Sequence, residues 1–194
     1  RDDVESRGLG DVYKRQGGDI ATGTICQLSR AGYPVLVLET EHPSAIRRQV
    51  AFCEAVYEGT ASVEGLTAVC ADSLKEAMDM VSPTRPVVFI DPEGDSIREI
   101  KPKVVVDAIL AKRNLGTSRD MAGLTIGLGP GFRAGEDVDY VIETMRGHNL
   151  GRIIEEGPAM ADTGVPGKIM GYGKERVIHL SLIHISEPTR LDVI

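Results

Sequence analysis

An α/β fold on a parallel or mostly parallel sheet is what this sequence predicts, from three observations. Apolar, β-branched runs at residues 104–106 and 124–128 stop abruptly at charged or glycine-rich residues. Such runs read as strands buried on both faces. Residues 17–39 read as glycine loop, helix, strand and acidic residue, the second half of a dinucleotide-type βαβ unit. Residues 73–81 add an amphipathic helix ahead of a further apolar strand at 86–90. The fold class is Rossmann-like.

Each element follows in order. Ile20, Ile25 and Leu28 approximate helical spacing, and Gly32 suits the helix C-terminus. Residues 34–38 form a short apolar strand that ends at Glu39. Ser44 is placed to cap a short helix over 43–50 that carries Arg47 and Arg48. Gly59 and Gly65 divide 55–71 into short strands with turns. Leu74, Ala77, Met78 and Val81 make the apolar face of a helix capped by Asp72 or Ser73. Residues 140–144 and 152–155 read as a late hairpin around RGHNLG. Beyond Pro158 the chain turns rich in Gly and Pro, a linker or loop.

The two ends carry a different signal. Residues 6–16 read SRGLGDVYKRQ and residues 180–190 read LSLIHISEPTR. With suitable codons, the reverse complement of the first encodes the second without a mismatch. That pattern looks like a transposon adapter from shotgun DNA libraries. Residues 1–16 and 180–194 are accordingly expected to be adapter-derived and are set aside, as tags and fusion scars are. The sheet's first strand, which should precede Gly17, is then expected to be missing. Gln16 sits where a first fingerprint glycine would stand.

Composition narrows the function. The chain has 194 residues and net charge −7, with about −6 left on 17–179. That acidity argues against a nucleic-acid partner, which favours a basic face. Trp is absent and aromatics make up 4% of the chain, so base-stacking platforms are not expected. No apolar run is long enough for a bilayer span, so no membrane is expected. Cys26, Cys53 and Cys70 show no CxxC spacing and fit a reduced, cytoplasmic setting with packing roles. His42, His148 and His179 lack metal-binding spacing, so no metal site is expected.

Four groups of residues carry candidate chemistry. Gly18, Asp19, Thr22 and Gly23 lie in the first glycine loop and helix start, where free N–H groups favour anions. Asp19 would repel phosphate there, and a plain strand-to-helix turn explains the loop equally well. Arg47 and Arg48 suit bidentate anion binding, although such pairs are commonly solvated. Asp107 ends an apolar run, with Lys112, Arg113 and Asn114 one to two helical turns later. Lys and Arg there suit a phosphate or carboxylate, and a structural ion pair is the plainer alternative. Gly129, Gly131 and Arg133 in GLGPGFRAG, then Glu143, Arg146 and His148, complete the set. Asp107, Lys112 and His148 are the catalytic candidates, His148 for its general-base residue type.

The segments GGDIATG, RRQVAFCEAVYEG, VEGLTAV, VVVDAILAKRN, GLGPGFRAG, VIETMRGHNLGR and DTGVPG occur in this order. Together they resemble the YqeB-type accessory proteins of the selenium-dependent molybdenum hydroxylase system. The resemblance covers nearly all of 17–176. It implies a Rossmann-type α/β domain, here 17–157, followed at 158–179 by the start of a β-rich C-terminal region that is then cut short. It also implies a maturation role for molybdenum hydroxylases and no transferable catalytic residues. The cysteines are not read as part of the pattern: Cys26 and Cys70 fall outside these segments, and Cys53 stands inside RRQVAFCEAVYEG as a packing residue.

The leading expectation is a cytoplasmic maturation factor that binds an anionic small molecule and works on the apo-hydroxylase. The cofactor stays open between a nucleotide and molybdopterin, with an activated selenium species as a further ligand. One alternative is a stand-alone NAD(P)- or nucleotide-dependent enzyme, motivated by Glu39 at the ribose-binding position. Another is a scaffold docking on the apo-hydroxylase.

Overall fold

The computed structural model describes the backbone of Val12–Arg15 and residues 17–162 and 170–172. The chain runs β1 (Val12–Arg15), α1 (Asp19–Arg30), β2 (Val35–Glu39), α2 (Ala55–Glu58), β3 (Thr60–Val63) and β4 (Leu66–Ala71). It continues through α3 (Leu74–Met80), β5 (Val87–Ile90), α4 (Asp95–Ile100), β6 (Val104–Asp107) and β7 (Leu124–Leu128). It closes with β8 (Arg133–Ala134), β9 (Tyr140–Ile142), β10 (Ile153–Ile154) and β11 (Gly157–Pro158). Among the described residues these strands form a nine-stranded sheet, ordered β10-β9-β7-β6-β1-β2-β5-β4-β3, and a small β8–β11 ribbon. Neighbours from β9 to β4 are parallel, and β10 and β3 add antiparallel edges. The fold is thus mixed α/β on a mostly parallel sheet.

Period-two pleating divides the core. Val35 and Val37 of β2 pack with Ile25 and Cys26 of α1. Leu36 and Leu38, one residue out of phase, pack with Ala77 of α3 and Ile97 of α4 on the other face. All five residues of β2 are buried because helices cover both faces of the sheet there. Ala21 of α1 meets Val106 and Leu128, extending the α1 layer toward β7. No helix among the described residues is long and apolar enough to cross a membrane.

Local signals mostly act as expected. Gly32 takes φ +90 just beyond α1. Ser73 caps α3 by accepting the Glu76 N–H, and the Glu76 carboxylate returns to the Asp72 N–H. Glu64 and Gly65 adopt φ +55 and +79, the paired left-handed geometry of a tight hairpin turn between β3 and β4. The late hairpin forms as β9 and β10, with Ile153 paired to Ile142.

Four expectations need correction. The first strand is not missing, because Val12–Arg15 occupies its position between β2 and β6. VYKR is nevertheless unlike the flanking VLVLE and VVVD; Lys14 stands in register with buried Val37 and Val106. Residues 43–50 hold no Ser44-capped helix, only a short 3-10 turn at Arg48–Val50. Tertiary bonds hold that stretch open: Tyr57 donates its hydroxyl to the Pro43 carbonyl, and Arg47 pairs with Asp19. No helix follows Asp107, whose carboxylate takes the Ile109 N–H and so starts a loop, with Leu110 at φ +59. Residues 55–58, expected as a short strand, are helix α2, which Gly59 ends at φ +76; helix α4 comes in addition, where the Asp91 carboxylate accepts the N–H groups of Gly94, Asp95 and Ser96 and nucleates the first turn.

Residues 1–11, 16, 163–169 and 173–194 lie outside the description, and with them most of the adapter and C-terminal expectations, including His179. Pro158 pairs with Arg133 and Ala159 is buried, so the chain there still packs on the α/β body.

Candidate functional site

Strand order reverses at β1: the chain leaves it for β2 on one side and reaches β6 on the other. Ligands of open α/β sheets bind beyond the strand ends at such a reversal. A cavity of about 560 Å³ lies there. Gly18, Asp19 and Ala21 form one wall, Ser44–Arg47 a second, Ala108–Leu110 a third, and Arg146 closes the rim.

Local geometry follows from the glycine loop. Gly18 is extended (φ −60, ψ 173) and its carbonyl accepts the Thr22 N–H at 2.8 Å, which starts α1. A β-carbon on Gly18 would meet nothing within 4 Å, so its cavity side is open. Asp19 occupies the first turn, where a carboxylate opposes the positive helix end, and it pairs with Arg47. Arg47 is 65% exposed and Asp19 25%, so the pair can exchange partners with little desolvation. Thr22 is buried; its hydroxyl donates to the Gly17 carbonyl at 3.1 Å and accepts the Phe52 N–H at 2.9 Å. Gly23 faces a second groove of about 400 Å³ that also borders Arg47, Cys26, Arg30 and Glu64. Three expected anion groups therefore converge on the switch-point cavity: the Gly18–Asp19 turn, Arg47 and Arg146.

The chain is 52% identical over 167 residues to the "Uncharacterized protein YqeB" of Escherichia coli (strain K12). Over that stretch it is a YqeB-type protein. The match takes in 86% of this chain and 31% of the relative, so the chain spans about a third of the relative's length. No protein-family profile matches the chain, and no solved structure matches it.

The remaining predicted residues of this YqeB-type chain go elsewhere. Arg48 pairs with Glu54 and lies 5.7 Å from the Tyr57 ring centre. The Arg48 hydrogen bond holds the Glu54 carboxyl below its usual range. Asp107 is buried and gives one oxygen to the Ile109 N–H and the other to the Thr117 hydroxyl, not to Lys112. Asn114 accepts the Gly116 and Thr117 N–H groups and donates to the Thr117 carbonyl, closing the same loop. Lys112 is 79% exposed, with its ammonium 3.7 Å from Asp162.

The second glycine loop approaches protein. A β-carbon on Gly131 would stand 2.8 Å from the Ala111 carbonyl and about as close to the Arg113 backbone (3.0 Å). One on Gly129 would stand 2.5 Å from the Thr144 hydroxyl. Arg133 pairs with Glu136 at 3.0 Å. Glu143 is buried and accepts the Met145 and Met160 N–H groups at 2.7 and 2.8 Å. His148 sits exposed in the turn between β9 and β10.

Sequence reasoning missed two contributors. Ile109 and Leu110 supply apolar wall, and nothing in AILAKRN marks them as cavity-facing. Phe52 and Cys53 close over Gly17, a long-range contact without a local signature. Burial, and next the nearby Glu39 carboxylate, push the Cys53 thiol up to about 11, so it stays protonated at neutral pH.

Proposed function

We propose that this chain is the Rossmann-like part of a cytoplasmic accessory factor for maturing selenium-dependent molybdenum hydroxylases. In this reading it binds an anionic small molecule at the switch-point cavity and acts on the apo-hydroxylase. The motif resemblance supports the role. The observation that carries the binding reading is one cavity flanked by two guanidinium groups and the open side of Gly18. Planar forks at Arg47 and Arg146 suit phosphate or carboxylate oxygens. A nucleotide, molybdopterin or an activated selenium species would each present such a group.

Calorimetric titration of the purified protein with pyrophosphate, AMP and selenophosphate tests the binding reading; silence with all three removes it. Deleting the intact gene, then assaying selenium and molybdenum in the purified hydroxylase, tests the role. Unchanged metal and selenium content removes that part.

A scaffold docking on the apo-hydroxylase is the second reading. Ile46, fully exposed beside Arg47, and Val50, 44% exposed, favour it. Co-purification that survives Arg47→Ala and Arg146→Ala supports docking over ligand chemistry. The adapter origin of 1–16 and 180–194 also stays a proposal, supported by Lys14 and Arg15 in a central strand position. Sequencing the source gene from intact genomic DNA tests it.

A further inference from the structure

Glu39 stands at the end of the second strand, where dinucleotide-binding α/β proteins place the acid that holds a ribose hydroxyl. Here that acid is turned onto the backbone. One oxygen accepts the Gly17 N–H at 2.6 Å and the other accepts the Thr40 N–H at 2.9 Å. The side chain is buried, with 3% of the residue exposed. A ribose diol would have to break both bonds to reach it.

The neighbouring space is also filled. The Gly17 carbonyl accepts the Cys53 N–H at 2.9 Å, and Thr22 links it to the Phe52 N–H. A β-carbon on Gly17 would lie 2.9 Å from the Cys53 nitrogen, so this segment rests directly on the loop. Phe52 is fully buried against Ile25, Val35 and Val37, which anchors the plug from below. The Phe52–Cys53 segment thus packs on Gly17, whose N–H holds the Glu39 carboxylate, beside the place where an adenosine ribose would need room.

The switch-point side is open. Its cavity of about 560 Å³ falls in the range of small-molecule sites. Ile109 and Leu110 give it an apolar wall, and Arg47 and Arg146 stand at its border. A guanidinium pair beside an apolar wall matches a ligand with a doubly charged end and a compact organic body.

We infer that the cavity takes a phosphomonoester of a compact, largely apolar body and excludes adenine dinucleotides. The inference rests on the anion-binding reading above and adds the ligand class to it. Arg47 exchanges its Asp19 partner for the phosphate, and the organic body covers Ile109 and Leu110.

Isothermal titration of the purified full chain with phenyl phosphate, inorganic phosphate, ADP-ribose and NAD tests this. Phenyl phosphate is expected to bind, and inorganic phosphate to bind several-fold more weakly for want of a body. ADP-ribose and NAD are expected to give no heat. Arg47→Ala and Arg146→Ala each weaken phenyl phosphate by about tenfold, the loss of one charge-assisted bond. Asp19→Asn strengthens it by removing the competing carboxylate. Thermal melts of these surface variants confirm that the fold is retained. NAD or ADP-ribose binding as tightly as phenyl phosphate overturns the inference while leaving an anion site. Inorganic phosphate binding as tightly as phenyl phosphate also overturns it, since the body then contributes nothing. Phenyl phosphate affinity unchanged in both arginine variants overturns it too. Silence of every anion overturns the inference together with the binding reading beneath it.

Discussion

Replacing Glu39 by alanine removes the carboxylate that holds the glycine loop onto β2. Two backbone donors lose their acceptor, Gly17 N–H at 2.6 Å and Thr40 N–H at 2.9 Å. Gly17 is buried, so its donor finds no water, whereas half-buried Thr40 is partly rehydrated. A hydrogen bond to a charged acceptor contributes about 1.5–3 kcal/mol, and an orphaned buried donor costs a similar amount. Relief from burying a charge offsets part of this. The expected net loss is about 3 kcal/mol. In a chain of this size each kcal/mol lowers Tm by roughly 2–4 °C, so Glu39→Ala should melt about 6–12 °C below the parent. Glu39→Gln keeps one carbonyl acceptor but sets an amide N–H₂ against the second donor, and should fall between the two. Thermal unfolding followed by circular dichroism reads all three proteins. An alanine variant melting within about 2 °C of the parent would refute the structural role given to this acid.

Gly131→Ala should destabilise by about 2–4 kcal/mol, since its φ is +104 and the new β-carbon would lie 2.8 Å from the Ala111 carbonyl; urea titration measures the loss. Ser73→Ala should cost about 1 kcal/mol by removing the α3 cap, again read by urea titration. Burial raises the Asp139 carboxyl, but the Thr125 N–H and hydroxyl and Arg119 outweigh it and hold it below its ordinary value. Its stabilising effect is therefore complete above the unfolded pKa of about 3.9 and lost as pH falls through the lower folded value. The stability gap between the parent and Asp139→Asn should be constant from pH 7 to 5 and narrow below about pH 4. A gap that does not change with pH excludes that linkage.

Periodicity made much of this fold legible. Strands β2, β5, β6 and β7 announce themselves because both of their faces are covered, and α1 and α3 because one face is. Helix α4 was hidden because its start depends on Asp91, whose carboxylate gathers three N–H groups across a Pro-Glu-Gly turn. The 43–50 stretch reads as a capped helix because Ser44 has the chemistry of a cap, while the Arg47–Asp19 pair and the Tyr57 hydroxyl decide its path. The site was legible only in part. Asp107, Asn114 and Glu143 have the residue types of ligand-binding groups, and those types serve equally well to satisfy loop N–H groups. Sequence does not distinguish these uses, because the partners of Glu143 include Met160, which is far along the chain.

The two glycine loops look alike in sequence and do opposite things. Gly18 has open space where a β-carbon would be, whereas Gly127, Gly129 and Gly131 are filled by Phe132, Thr144 and the 111–113 backbone. The second loop nevertheless serves the first. Gly129 receives Thr144, and the Glu143 carboxylate fixes the Met145 N–H, so the residues just before Arg146 are held on both sides. Asp107 anchors the Ile109 N–H in the same way, at the start of the loop that gives the cavity its apolar wall. Buried Asp107 and Glu143 thus act as backbone anchors that place Ile109 and Arg146 opposite Gly18. Conservative changes at either acid should therefore alter the cavity through its walls and rim, without either acid meeting what the cavity holds.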